Sequence, residues 1–174
     1  SIDSSTLNVV DAGGMGPGLY NLFSYKGALS FTNGGFTPPA GSSLQILTVD
    51  KQINLVHTAG YTLNVWNANG LASETQMGGG SGTWSAASSN FTDATGSVTA
   101  PMQPAGGFAV FGGTPGTVTI DNGAGAVRAG GMQFASDGYR LTGDALTLAA
   151  DVTHVVPVEV RVGDGSAVSA NWTA

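Results

Sequence analysis

Apolar and polar residues alternate with a period of two in several short runs: Thr117-Val118-Thr119-Ile120, Tyr61-Thr62-Leu63-Asn64-Val65, Tyr139-Arg140-Leu141 and residues 156–162. Alternation sends successive side chains to opposite faces, so each run predicts a half-buried β-strand. Clusters of Gly, Asn and Asp bound the runs, as at Asp121-Asn122-Gly123 and Gly163-Asp164-Gly165, and these residue types favour turns. No long window carries the i, i+3, i+4, i+7 apolar stripe of a helix, because Gly, Thr and Ser interrupt every candidate. The pattern predicts an all-β fold.

The runs also recur at one fixed offset. Val118, Tyr139 and Val160 are evenly spaced, as are Ile120, Leu141 and Val162, with Thr119, Arg140 and Arg161 on the outward parity. The same spacing aligns Asp121-Asn122-Gly123 with Thr142-Gly143-Asp144 and Gly163-Asp164-Gly165, Val127 with Leu148, and Phe134 with Val155. Such a repeat predicts a parallel β-helix of roughly 21 residues per coil in the C-terminal half, in which each coil lays its strand beside the equivalent strand of the next and like residues form inward columns. Pro157 removes a ladder donor, which places a corner or bulge near residues 154–157.

Three stretches follow from this reading, all in one structural domain that is a fragment of a longer chain. Residues 1–75 hold strand-like runs separated by Gly- and Pro-rich connections and are expected to form irregular coils with protruding loops. Residues 76–116 form a Gly/Pro-rich connection with short strands around Trp84 and Phe108 to Phe111, and residues 117–174 form the regular coils.

Composition narrows the chemistry. The 174 residues contain 28 Gly, no Cys and 9% charged residues, with five Lys and Arg against eleven Asp and Glu for a net charge of −6. Disulfides and Cys-ligated metals are excluded. The negative balance argues against a nucleic-acid or anionic-membrane partner. No apolar stretch approaches the roughly 18 residues of a membrane-spanning helix. Ser1-Ile2-Asp3 lacks the basic and apolar segments of a signal peptide, and the missing initiator Met points to a processed chain or an excised piece.

Motifs in order along the chain carry a family resemblance: Gly80-Ser81-Gly82-Thr83-Trp84-Ser85-Ala86-Ala87, Asn90-Phe91-Thr92-Asp93, Ala109-Val110-Phe111-Gly112-Gly113, Gly116-Thr117-Val118-Thr119-Ile120, and the run from Gly131 through Phe134 and Tyr139 to Gly143. They resemble the passenger-associated β-strand repeat of bacterial autotransporters over about residues 78–150. The opening Gly18-Leu19-Tyr20-Asn21-Leu22-Phe23 is similar to the same passengers, and Phe91 stands where the family often has Trp. The resemblance implies a right-handed parallel β-helix carried through the outer membrane of a Gram-negative bacterium and displayed or released at the surface. It implies a non-catalytic stalk or scaffold that contributes to adhesion. The implied partners are the rest of its own polypeptide, including a C-terminal translocator barrel absent from this stretch, and a host-surface or matrix ligand. This segment itself is not expected to insert into the membrane.

The reactive side chains point away from catalysis. A serine triad is disfavoured: the two histidines, His57 and His154, are far apart in sequence, and Ser81 lacks the Gly-x-Ser-x-Gly spacing. Both histidines read as strand-end residues. Asp121, Asp144 and Asp164 fall at equivalent corners about 4.8 Å apart per coil, with Arg140 and Arg161 stacked beside them, which is the arrangement a carbohydrate-active enzyme or a Ca²⁺ site would need. Asp beside Gly is also the default corner residue, and that reading is preferred. Arg140 and Arg161 read as solvated residues paired with Asp137 or Glu159. Gly14-Met15-Gly16-Pro17-Gly18 opens no helix and Pro17 lacks an amide donor, so it is no phosphate loop. Tyr20, Phe23, Tyr25, Trp66, Trp84 and Trp172 read as interior stacks; exposed along one face they would instead make a lectin-like, glycan-binding module. No catalytic, cofactor-binding or metal-binding residue is assigned, and no cofactor is expected.

Overall fold

The computed structural model describes residues 6–10, 15–31, 35–149 and 158–163. Among the described residues it is all-β with no helix: β1 (Gly18–Ser24), β2 (Ser42–Leu47), β3 (Gln52–His57), β4 (Leu63–Trp66), β5 (Gly82–Ser85), β6 (Phe91–Thr92), β7 (Thr99–Ala100), β8 (Phe108–Phe111), β9 (Thr117–Asp121), β10 (Arg128–Ala129), β11 (Gly131–Phe134), β12 (Arg140–Gly143), β13 (Thr147–Leu148) and β14 (Glu159–Val162).

Pairing is mixed. β1, β3 and β2 form an antiparallel sheet in that order. Four strands run parallel in a second sheet, β14-β11-β8-β4, which β6 and β7 extend antiparallel beyond β4. A third, parallel sheet has the order β12-β9-β5, and β10 pairs parallel with β13. Successive passes of the chain therefore leave one strand in the second sheet and the next in the third.

The core lies between these sheets. Trp66, Trp84, Phe91, Phe111, Val118, Ile120, Val127, Met132 and Phe134 are buried in one cluster. Phe111 is its hub. It stacks on Phe134 with centroids 4.9 Å apart and planes 11° from parallel, which is the spacing of neighbouring strands, and it meets Trp66, Trp84 and Tyr139 at tilted angles. At the β4 end Phe91 sets its edge against both Trp66 and Trp84, and buried Met102 joins it, so the β6–β7 hairpin covers the cluster there. At the other end Leu148 and Val160 are 41% and 37% exposed.

Within the second sheet, β4, β8 and β11 are buried on both faces. Trp66, Ala109, Phe111, Met132 and Phe134 point into the main cluster, while Leu63, Val65, Phe108 and Val110 form another with Leu19, Val56 and Tyr61 from the antiparallel side. Gln133 shares that outer face, fully buried: its Oε1 accepts the Leu19 N–H at 2.8 Å, and its Nε2 donates to the carbonyls of Leu19 and Gly163 at 2.7 Å each. An amide in that position gives backbone groups of β1 partners that no ladder supplies.

The evenly spaced columns expected from the sequence repeat are corrected by the observed registers. Val118 lies opposite Leu141, and Ile120 opposite Gly143; Tyr139 precedes β12 instead of facing Val118. Val160 pairs with Met132 in the other sheet, and Leu148 pairs with Ala129 instead of Val127. The reason is the strand period itself. Moving the partner of Val118 from Tyr139 to Leu141 is a slip of two positions, which leaves every side chain on the same face, so alternation alone cannot choose between the two registers. Corners of unequal length set the true one. Thr119 keeps its outward parity and pairs with Thr142. The aligned Val155 and the expected corner at residues 154–157 lie outside the described residues.

Candidate functional site

The aromatic residues do not make an exposed platform. Trp66 and Trp84 are buried and Tyr20 and Tyr25 are partly buried, but Phe23 is exposed at the end of β1, against the interior reading, with only Phe36 edge-on to its ring at 5.8 Å; Trp172 lies outside the described residues.

The corner carboxylates are occupied by backbone. The Asp121 Oδ1 accepts the Gly123 N–H at 2.8 Å, and the Asp144 Oδ2 accepts the Asn122 N–H at 2.9 Å. Asn122 adds a second link by donating from Nδ2 to the Ala145 carbonyl, and its Oδ1 takes the Val127 N–H. These corners are thus tied to one another across neighbouring strands. Asp164 lies outside the described residues, and no group of three or more His, Asp or Glu placed to hold a metal occurs among the described ones.

Arg140 and Arg161 are in different sheets and do not stack. Arg161 bonds Glu159 at 2.7 Å, one of the two partners the sequence suggested, but it is not a solvated residue: its side chain is 15% exposed and lies over the Tyr20 ring while donating to its hydroxyl. Burial raises the Tyr20 hydroxyl above its ordinary pKa, against the opposing pull of the Arg161 charge. His57 ends β3, with Nδ1 at 3.2 Å from the Ser42 hydroxyl; His154 is outside the described residues. The Ser81 hydroxyl accepts the Thr117 N–H.

What the fold does bring together is a polar cleft of about 330 Å³ where the antiparallel sheet meets three successive corners. Asp50, Gln52 and Asn54 form one wall; Met77, Gly112 to Thr114, Ala135 and Ser136 form the other, with Leu19 at the seam. The corners are held rigidly. Tyr139, part-buried, shares its one hydroxyl proton between the carbonyls of Gly112 at 2.6 Å and Thr114 at 2.9 Å, and burial pushes that hydroxyl's pKa far above its usual value. Gly79 has φ 79°, and a Cβ there would collide with the Tyr139 hydroxyl and the Thr114 carbonyl oxygen, so only Gly allows this clamp to close. The facing wall is locked by the Asp50 carboxylate, which accepts the Met77 N–H at 2.7 Å, and by Asn54, bonded to Gln45 and Asn21. None of these cleft residues is marked in the sequence as a group. They come from five separate segments, and Asp50 and Ser136 read as ordinary turn residues.

The chain is 41% identical to a stretch of the adhesin BmaC autotransporter of Brucella suis biovar 1 (strain 1330), over 94% of this chain and 5% of that protein. It is thus similar to a segment of an autotransporter and spans only a small part of that relative's length. No family model and no solved structure matches it.

Proposed function

We propose that this chain is a surface-displayed segment of a Gram-negative autotransporter passenger, a non-catalytic scaffold that takes part in adhesion. The observation that carries the reading is the 41% identity over nearly its whole length to a stretch of a protein named as an autotransporter adhesin. The translocator barrel and any host-surface or matrix ligand belong to the same proposal.

Its architecture is read as a right-handed parallel β-helix with coils of unequal length. The parallel β4-β8-β11-β14 and β5-β9-β12 stacks support this, and so does the column Trp66, Phe111, Phe134. The exposed Leu148 and Val160 suit a stack on which a further strand can lie. The stretches 1–75, 76–116 and 117–174 are read as one domain, since Leu19 in the first is held by Gln133 in the last. Stacked ladders and buried rings would hold the segment rigid without disulfides, which suits a chain that must be threaded through a pore before folding.

The test is to join the chain to a translocator barrel, express it in a Gram-negative host, and probe intact cells with antibody and protease. Display at the surface together with increased binding to host cells or matrix proteins is expected. A folded chain that reaches the surface and confers no binding would overturn the adhesive role, and retention in the periplasm would overturn the passenger reading.

A further inference from the structure

We propose that the cleft between β3 and the stacked corners binds a neutral, polyhydroxylated ligand, a sugar unit of a surface glycan. This deepens the adhesive reading above and rests on it.

The cleft holds unused hydrogen-bonding capacity. The Gln52 amide, the Thr114 hydroxyl and the Ser136 hydroxyl all line it, and none bonds another described residue. Their neighbours are engaged in the fold: Asn54 is bonded through both side-chain atoms, and the carbonyls of Gly112 and Thr114 share the Tyr139 proton. Committed groups give a fixed frame, and the free ones supply an amide and two hydroxyls that can each donate and accept. Sugar hydroxyls need that two-way capacity.

Charge selects within this class. Asp50 adds a carboxylate whose Oδ2 is fixed by Met77, no Lys or Arg lines the cleft, and the chain carries a net charge of −6. An acidic sugar or a phosphate would face the Asp50 carboxylate with no cation to offset it, whereas a neutral ring can donate a hydroxyl to Asp50. Met77 and Ala135 offer apolar surface for the C–H face of such a ring. The volume, about 330 Å³, sits at the small end of ligand sites and suits a terminal sugar more than an extended peptide. Preorganisation adds to this, because the corners and β3 are fixed before the ligand arrives.

The test uses the full 174-residue chain on an array of neutral and sialylated oligosaccharides, followed by saturation-transfer NMR on the best neutral binder. Neutral glycans should bind and their sialylated counterparts should not. Ser136→Ala and Gln52→Leu should each weaken binding roughly tenfold, about the loss of one good hydrogen bond, while unfolding midpoints stay close to the parent's. Thr114→Val, on an exposed corner, provides a third variant should Gln52→Leu fail to fold. Absence of neutral-glycan binding, a preference for sialylated glycans, or binding that survives all three substitutions would overturn the site. Adhesion by displayed cells would still stand in those cases, so failure of the cleft is distinguishable from failure of the adhesive role.

Discussion

The two parallel sheets bury their strands differently. In the β4-β8-β11 sheet every residue of Leu63–Trp66, Phe108–Phe111 and Gly131–Phe134 is buried, because the main cluster fills one face and the antiparallel sheet covers the other. In β9 only Val118 and Ile120 are buried, while Thr119 and Asp121 face solvent. A strand covered on both sides can read as a short apolar run, as Phe108–Phe111 does, but β4 keeps its alternation by burying Asn64, so the half-buried strand expected there is covered on both faces. Substitutions should therefore be felt on both parities of the first sheet and on one parity of the second.

Phe111→Ala should have the largest effect, about 3–5 kcal/mol, since it removes the ring that touches Trp66, Trp84, Phe134 and Tyr139. Urea unfolding measures it. Gln133→Ala should cost about 1–3 kcal/mol by leaving the Leu19 N–H and carbonyl without their partner, and hydrogen exchange at the Leu19 amide should quicken with it. Gly79→Ala should cost at least about 1–2 kcal/mol, as a left-handed backbone gains a side chain aimed at the Tyr139 hydroxyl. In contrast, Thr119→Ala should stay within about 0.5 kcal/mol; a loss as large as that at Gln133 would erase the difference between the sheets.

The hairpin that extends the doubly buried sheet has its own signature. Partial burial would raise the Asp93 pKa, but donors from Thr95, Val98 and Ser97 outweigh it and hold the carboxyl below its ordinary value. A depressed folded-state pKa means that this contribution is present above the unfolded value of 3.8 and is lost as pH falls through the folded one. Stability should therefore decline on the acid side, and Asp93→Asn should flatten that decline in midpoints recorded between neutral pH and about pH 3.

Alternation marked β4 as well as β9, so it did not tell the doubly covered sheet from the singly covered one. β9 was plain from Thr117-Val118-Thr119-Ile120, and the corner at Asp121-Asn122-Gly123 from its residue types. Register was not plain, because a slip of two positions leaves the pattern unchanged and only corner length decides it. The antiparallel cover was hidden too: Leu19 and Gln133 meet across 114 positions of sequence, and nothing local in either says that they do. The cleft escaped for a related reason. Thr114 and Ser136 belong to neighbouring corners, but Gln52 arrives from another sheet, and short polar residues in turns carry no motif.

The most direct test of the stacked arrangement is cysteine cross-linking, clean here because the chain has no native Cys. Thr119 and Thr142 are register partners on one outward face, so the double variant Thr119→Cys, Thr142→Cys should form a disulfide within one molecule under mild oxidation. The pair Thr119→Cys, Arg140→Cys, at the spacing of the sequence repeat, should cross-link far less. Equal or reversed yields would contradict the observed register and the account built on it.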